Sequence, residues 1–326
     1  MNYAAVILGN LAAILLMLAC AAFEARAQPP RVGILIPEMG RAEIQANKGF
    51  VDELARLGYR NRKDILFDIR NAKRDRGAFQ SLATDLVQQK VAVILTTGAS
   101  ATRAAASASR DIPIVFIYAG DPSLAFAQGP SATNMNLTGV AGFARERIDI
   151  RLALLKEIVP TLQTLHIFYD WNAPYSRDNF ARAETEAKKM SLRALAHPIK
   201  SIEELNATIA GLDSDQGDAI FQIPDDLVES AAERIFDLAR QKKIPTMFNE
   251  EAWAIKGALA AHGPNYLQMG RQAAGLVEQI LKGRRPASLA IQRASKFDLT
   301  LNYRTATFIG IRLTQQTLKK ADKVIR

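Results

Sequence analysis

The chain is expected to fold as α/β, with two similar open parallel-sheet lobes joined by a multi-strand hinge, and three features carry that expectation. From Arg31 onward, short apolar runs alternate with amphipathic stretches, the pattern of a parallel sheet covered by helices. Landmarks of the first half then recur in the second at offsets of 133, about 127 and 132 residues, as two lobes of one plan require. The length of 326 residues exceeds what one hydrophobic core usually organises. Apolar residues at 48% and charged residues at 23% exclude a disordered, collagen-like or multi-span membrane chain.

The elements follow in order. Val32-Gly33-Ile34-Leu35-Ile36 reads as a buried strand ended by Pro37. A helix over 43–57 carries Phe50, Val51, Leu54 and Leu57 on one face and stops at Gly58. Strands at 65–69, 91–95 and 114–118 alternate with helices near 79–88 and 99–108, completing one lobe. Leu137-Thr138-Gly139-Val140 is short, β-prone and Gly-punctuated, suited to a crossing between lobes; a helix over 148–159 ends at Pro160. Leu165-His166-Ile167-Phe168-Tyr169 opens the second lobe as Val32 to Ile36 opened the first, and a helix runs through 180–190. Asp111-Ile112-Pro113-Ile114 finds its counterpart in Lys243-Ile244-Pro245-Thr246. Ser201-Ile202-Glu203-Glu204 fits a capping box. A helix over 267–281 stops at Lys282-Gly283, with Pro286 beyond it, and 297–301 reads as one more strand.

The first residues are of another kind. An uncharged stretch over 3–23 is followed by an A-x-A pattern at Ala25 and Ala27, so an export signal cleaved after Ala27 is expected, with a retained anchor as the alternative. The only cysteine, Cys20, lies in this stretch, where Leu18-Ala19-Cys20 faintly resembles an acylated lipoprotein site. Beyond it there is no thiol, hence no disulfide framework. The expected division is 1–27 as leader, 28–141 plus about 265–285 as the first lobe, and 142–264 plus about 286–326 as the second. The net charge of +9 is spread among alternating acids and bases such as Arg145-Glu146-Arg147. That pattern describes a solvated surface, not a nucleic-acid footprint.

In open α/β sheets ligands bind beyond the carboxyl ends of the strands. The loops there are Thr97-Gly98-Ala99-Ser100, which offers hydroxyls and free amides at a helix start, and Gly120-Asp121-Pro122. In the second half they are Trp171-Asn172-Ala173-Pro174-Tyr175-Ser176, Pro224-Asp225-Asp226 and Asn249-Glu250, with Trp253 following. Each also has a plain structural reading as cap, turn or core. Gly98-Ala99-Ser100-Ala101-Thr102 starts like a G-x-S-x-G nucleophile elbow but has Thr at the second glycine, and His166, His197 and His262 read as structural, the last two at strand ends. No H-E-x-x-H, C-x-x-C, P-loop or G-x-G-x-x-G is present, so no metal or cofactor is implied.

Taken together, the residues resemble the bacterial ABC-transporter substrate-binding proteins related to tryptophan- and phenylalanine-binding lipoproteins. The likeness runs over nearly all of 31–326. It rests on Gly49-Phe50 with Leu54 and Gly58-Tyr59, on Thr97-Gly98, and on Ile112-Pro113-Ile114-Val115-Phe116 leading to Gly120-Asp121-Pro122. It continues through Leu137-Thr138-Gly139-Val140, Leu154-Leu155-Lys156-Glu157-Ile158-Val159-Pro160, Ile280-Leu281-Lys282-Gly283, and Lys296-Phe297-Asp298-Leu299 with Asn302 and Ala306. The sequence departs from the pattern at Glu38-Met39-Gly40, short of the polar residues of the first ligand loop, at Met135-Asn136, and at Arg312-Leu313-Thr314, where a Pro-containing turn is usual.

The resemblance implies a type I periplasmic-binding-protein fold, no enzymatic activity, and capture of an amino acid or similar small anion between lobes that close about a hinge. It implies a periplasmic monomer whose partners are the solute and a membrane permease. The expected contacts are Thr97, Gly98, Ser100 and Asp121 from the first lobe, with Trp171, Asn172, Ser176, Asp225 and Glu250 from the second. A ligand-sensing receptor module of the same fold, and a hydrolase using Ser100, are the alternatives.

Overall fold

Strands β1 (Arg31–Ile36), β3 (Val93–Thr97) and β4 (Ile114–Tyr118) are buried along almost their whole length. Helices cover both faces of their sheet, which is why these segments read as unbroken apolar runs without alternation. The computed structural model describes residues 28–73, 75, 77–123, 136–212 and 218–326. The leader 1–27 with Cys20, and Met135, lie outside the described residues.

The first sheet has six strands in the order β11-β5-β4-β3-β1-β2, with β2 Leu66–Asn71, β5 Leu137–Ala141 and β11 Gln292–Arg293. Every pairing in it is parallel. Helices α1 (Arg41–Arg56), α2 (Ala78–Gln88) and α3 (Ala99–Ala108) supply the connections. Gly58, at φ +97°, ends α1 in the left-handed region that favours glycine.

The second sheet has seven strands in the order β13-β12-β10-β9-β8-β6-β7. They are β6 Thr164–Asp170, β7 Arg193–Ile199, β8 Asp218–Phe221, β9 Thr246–Phe248, β10 Ala260–Pro264, β12 Phe297–Asn302 and β13 Lys323–Ile325. Helices α4 (Ile148–Ile158), α5 (Pro174–Lys189), α6 (Ile202–Ala210), α7 (Asp226–Ser230), α8 (Ala232–Gln241) and α9 (Glu251–Lys256) pack around it. Ser201 Oγ accepts from the Glu204 amide at 3.2 Å, and Glu204 Oε2 reaches back to the Lys200 amide at 2.8 Å, so the box closes one residue earlier than its standard form. His197 and His262 lie inside β7 and β10 and not at strand ends, and His166 Nδ1 stands 3.0 Å from His197 Nε2.

The chain crosses between lobes three times, after β5, after β10 and after β11. Helix α10 (Tyr266–Leu281) returns to the first lobe, where Met269, Ala273, Leu276 and Val277 join the core built on Val32, Ile34 and Val93. It lies on α1 with the backbones almost touching: a Cβ on Gly49 would stand 2.0 Å from the Leu267 carbonyl oxygen, and one on Gly270 2.0 Å from that of Ala46. Gln292 then pairs with Val140 in the first sheet. The last crossing therefore comes after Arg293 and not near 286, where the sequence placed the boundary. A lone Pro286 signal hid a two-residue strand too short to show periodicity. Beyond it β12 runs antiparallel to β10, and α11 (Tyr303–Ile309) and α12 (Gln315–Lys320) follow. Leu299, Leu301, Ala306 and Ile309 complete the second core beside Ile148 and Leu152.

Candidate functional site

A cavity of about 820 Å³ opens between the lobes at the carboxyl ends of both sheets. From the first lobe it takes Pro37, Glu38 and Glu43, the run from Thr97 to Ala101, Tyr118 and Tyr266; from the second it takes Glu229 to Arg234, Glu250, Trp253 and Lys256.

The first-lobe wall carries a donor surface at the start of α3, beside Glu38 and Glu43. Gly98 adopts φ +87° and ψ 164°, turning the chain from β3 directly into α3, and no side chain caps that helix. Its first-turn amides have no partner within the helix and carry the positive end of its dipole. Below them the loop is pinned: Thr102 Oγ1 donates to the Gly98 carbonyl at 2.7 Å and shares a hydrogen bond with Thr96 Oγ1 at 2.8 Å. The Thr97 hydroxyl, in a residue only 4% exposed, has no hydrogen-bond partner among the described residues. An unsatisfied buried hydroxyl beside an open cleft is a group prepared for a ligand.

The second-lobe wall is acidic and aromatic. Glu250 is half-buried and accepts from Tyr266 Oη at 3.0 Å across the lobe boundary. Burial pushes its carboxyl up to about 7, the Tyr266 hydrogen bond opposes that rise, and the neighbouring Glu43 adds to it. Glu229 Oε1 accepts from Gln222 Nε2 at 3.1 Å and from Asn249 Nδ2 at 3.2 Å. Trp253 is fixed against Phe236 and Phe248, with ring centroids 6.2 Å from each, and its indole N–H has no partner among the described residues. Lys256 is drawn to Glu233 at 2.7 Å. The lining thus sets Glu38, Glu43, Glu229, Glu233 and Glu250 against Arg234 and Lys256.

Of the expected contacts, the structure brings Thr97, Gly98, Ser100 and Glu250 to the cavity. Asp121, Trp171, Asn172, Ser176 and Asp225 are not among its described lining residues. Asp121 Oδ1 is taken by the amide and hydroxyl of Ser123, at 2.9 and 2.6 Å. Asp225 is a structural knot: it caps α7 through the Val228 amide at 2.9 Å and accepts from Ser176 Oγ at 2.5 Å and the Asp170 amide at 2.7 Å. Those bonds absorb both Asp225 and Ser176, each at most 2% exposed. Trp171 is 48% exposed, with Arg177 above its ring, and the Asn172 amide closes a local turn on Asp170. Sequence reasoning missed Glu43, Glu229 and Tyr266. Each sits within the first turn of a helix that follows a strand end, so the strand-end rule points to them when it is carried one turn further.

Ser100 has Arg103 Nη2 at 3.5 Å, and the histidines all belong to the second sheet. None of the hydrogen bonds described joins a histidine to Ser100, and no group of three or more His, Cys, Asp or Glu among the described residues could hold a metal ion.

A family model described as ABC transporter substrate binding protein matches residues 31–325. A tyrosine-binding protein of Clostridioides difficile is 26% identical over 259 residues, covering 79% of this chain and 74% of the relative. A conserved domain protein of Vibrio cholerae superposes with a TM-score of 0.77 at 25% identity, over 91% of this chain and 100% of that one. An ABC domain from Streptococcus pneumonia in complex with L-Trp gives 0.75 at 22% identity, with the same coverage.

Proposed function

The chain belongs to the ABC transporter substrate-binding protein family, and from that premise we propose that it captures a zwitterionic amino acid with an apolar or aromatic side chain and presents it to a membrane permease. One observation carries the reading. The cleft opposes a donor wall, made by the uncapped start of α3 with Ser100 and Thr97, to an acidic wall holding Glu229 and Glu250. An α-carboxylate suits the first and an ammonium suits the second. The excess of carboxylates in the lining disfavours a simple anion, and the +9 of the whole chain lies elsewhere. Trp253, Tyr118 and Tyr266 provide flat surfaces for the solute side chain. That a relative is named for tyrosine and a structure of the same fold holds L-Trp supports this solute class.

In this reading the protein works outside the cytoplasm as a monomer. The lobes close because the solute touches both and so binds the closed state better. Among the described residues no helix is long and apolar enough to cross a membrane. The test is a thermal-shift and fluorescence screen of amino acids against the chain from Gln28. An aromatic amino acid should raise the melting temperature and change Trp253 emission, and Ser100→Ala should reduce the shift while Asp121→Ala leaves it. A screen with neither response to any amino acid overturns the proposal.

A further inference from the structure

Arg151 lies on α4, just after the first crossing, and is 1% exposed. Its Nη2 donates to the Gln222 carbonyl and lies 3.4 Å from that of Met247, and the Phe221 ring faces the guanidinium at 4.6 Å. Nε and Nη1 have no partner among the described residues, and none of the salt bridges described involves Arg151. A guanidinium buried with so little compensation is costly, and replacing it with an apolar residue would ordinarily be neutral or stabilising. Core stability is therefore a poor reason for an arginine at this position.

Its surroundings supply a better one. Gln222, itself 1% exposed, has its Oε1 3.5 Å from Arg151 Nη2 and its Nε2 3.1 Å from Glu229 Oε1. Asn249, 3% exposed, holds the same Glu229 oxygen at 3.2 Å. The chain Arg151, Gln222, Glu229 thus leads from a sealed cation to a carboxylate on the cleft wall. Burial lowers the Arg151 pKa to about 9, so the group is still charged at neutral pH, and Glu229 is the anion that offsets this loss.

We propose that Arg151 is a positioning residue that, through Gln222 and its own buried charge, holds the Glu229 carboxylate in place and so makes the cleft selective for solutes bearing an amine. This rests on the amino-acid reading above. A buried positive charge lies behind Glu229, which lines the cavity, and two amide donors hold its Oε1. A carboxylate held in place on the cleft wall attracts a solute bearing an ammonium more strongly than an analogue lacking it.

The experiment compares binding of an aromatic L-amino acid and of its des-amino analogue, the matching aryl-propionate, by calorimetry. Wild type, Arg151→Met, Arg151→Lys, Glu229→Gln and the Arg151→Met/Glu229→Gln double variant are measured. Wild type should prefer the amine-bearing solute by about 100-fold or more. Arg151→Met and Glu229→Gln should each reduce the preference to within about threefold, the loss falling on the amine-bearing solute; the double variant should lose nothing further, and Arg151→Lys should restore part of the preference. An Arg151→Met protein with wild-type preference, or one that loses affinity for both solutes equally, overturns the proposal. Should Arg151→Met not fold, Arg151→Lys and Glu229→Gln decide: a Glu229→Gln protein that still discriminates overturns it. A wild type that binds the pair equally overturns this inference alone, whereas one that binds neither solute, nor any other amino acid, overturns the functional reading as well.

Discussion

Glu250 and Tyr266 meet across the lobe boundary at 3.0 Å, and the burial of Glu250 there makes the proposed affinity sensitive to pH. Burial raises the Glu250 carboxyl to about 7 in the free protein, so near neutrality it is only partly ionised. A bound ammonium favours the ionised form. Affinity should therefore rise as pH increases through about 7, and below that value fall toward a limit of about tenfold per pH unit. Calorimetry from pH 5.5 to 8.5 checks this, and Glu250→Gln should bind more weakly at pH 8.5 with the slope abolished. A slope unchanged in Glu250→Gln would remove Glu250 from the ammonium site. The same residue scale explains why Asp225 and Ser176 looked like ligands. A capping Asp and a ligand Asp look alike in sequence, and only the 2.5 Å bond from Ser176 and the amides of Asp170 and Val228 separate them.

Among the elements, α1 and α10 set the geometry of the first-lobe wall, because Glu43 rides on one and Tyr266 opens the other. Their approach depends on missing Cβ atoms at Gly49 and Gly270. Gly49→Ala should cost about 1–3 kcal/mol, since backbone cannot yield as a flexible side chain does. Calorimetric melting should show a lower transition for Gly49→Ala. Gly275→Ala, in the same α10 but with nothing within 4 Å of the added Cβ, should instead be neutral or gain about 0.5–1 kcal/mol. An equal fall for both would mean that the close backbone approach at Gly49 does not govern this contact. The element boundaries that periodicity marked best were those with strong stops, such as Gly58 and Lys282-Gly283. β11, two residues long, carries no period to read.

For the whole molecule, three crossings tie the lobes together beside the cleft, with Arg41 bridging to Glu251 at 2.8 Å near the cavity rim. Closure proposed for solute capture would swing the lobes about those crossings and shrink the cavity of about 820 Å³. Small-angle scattering should show a smaller radius of gyration with a bound amino acid than without, and an unchanged radius at saturation would exclude closure. The sequence by itself determined the α/β class and the two lobes, because strand runs, helix faces and glycine stops are local patterns. Only the tertiary structure decided which carboxylates share the cleft. Glu43, Glu229 and Glu250 come from segments about 200 residues apart at the extremes, and their convergence depends on how α10 lies on α1 and how the chain crosses between the lobes. Packing between distant segments leaves no period in the chain, so Glu43 and Glu229, and the buried Arg151 behind Glu229, became legible only in three dimensions, whereas Glu250 was already marked by its place after a strand.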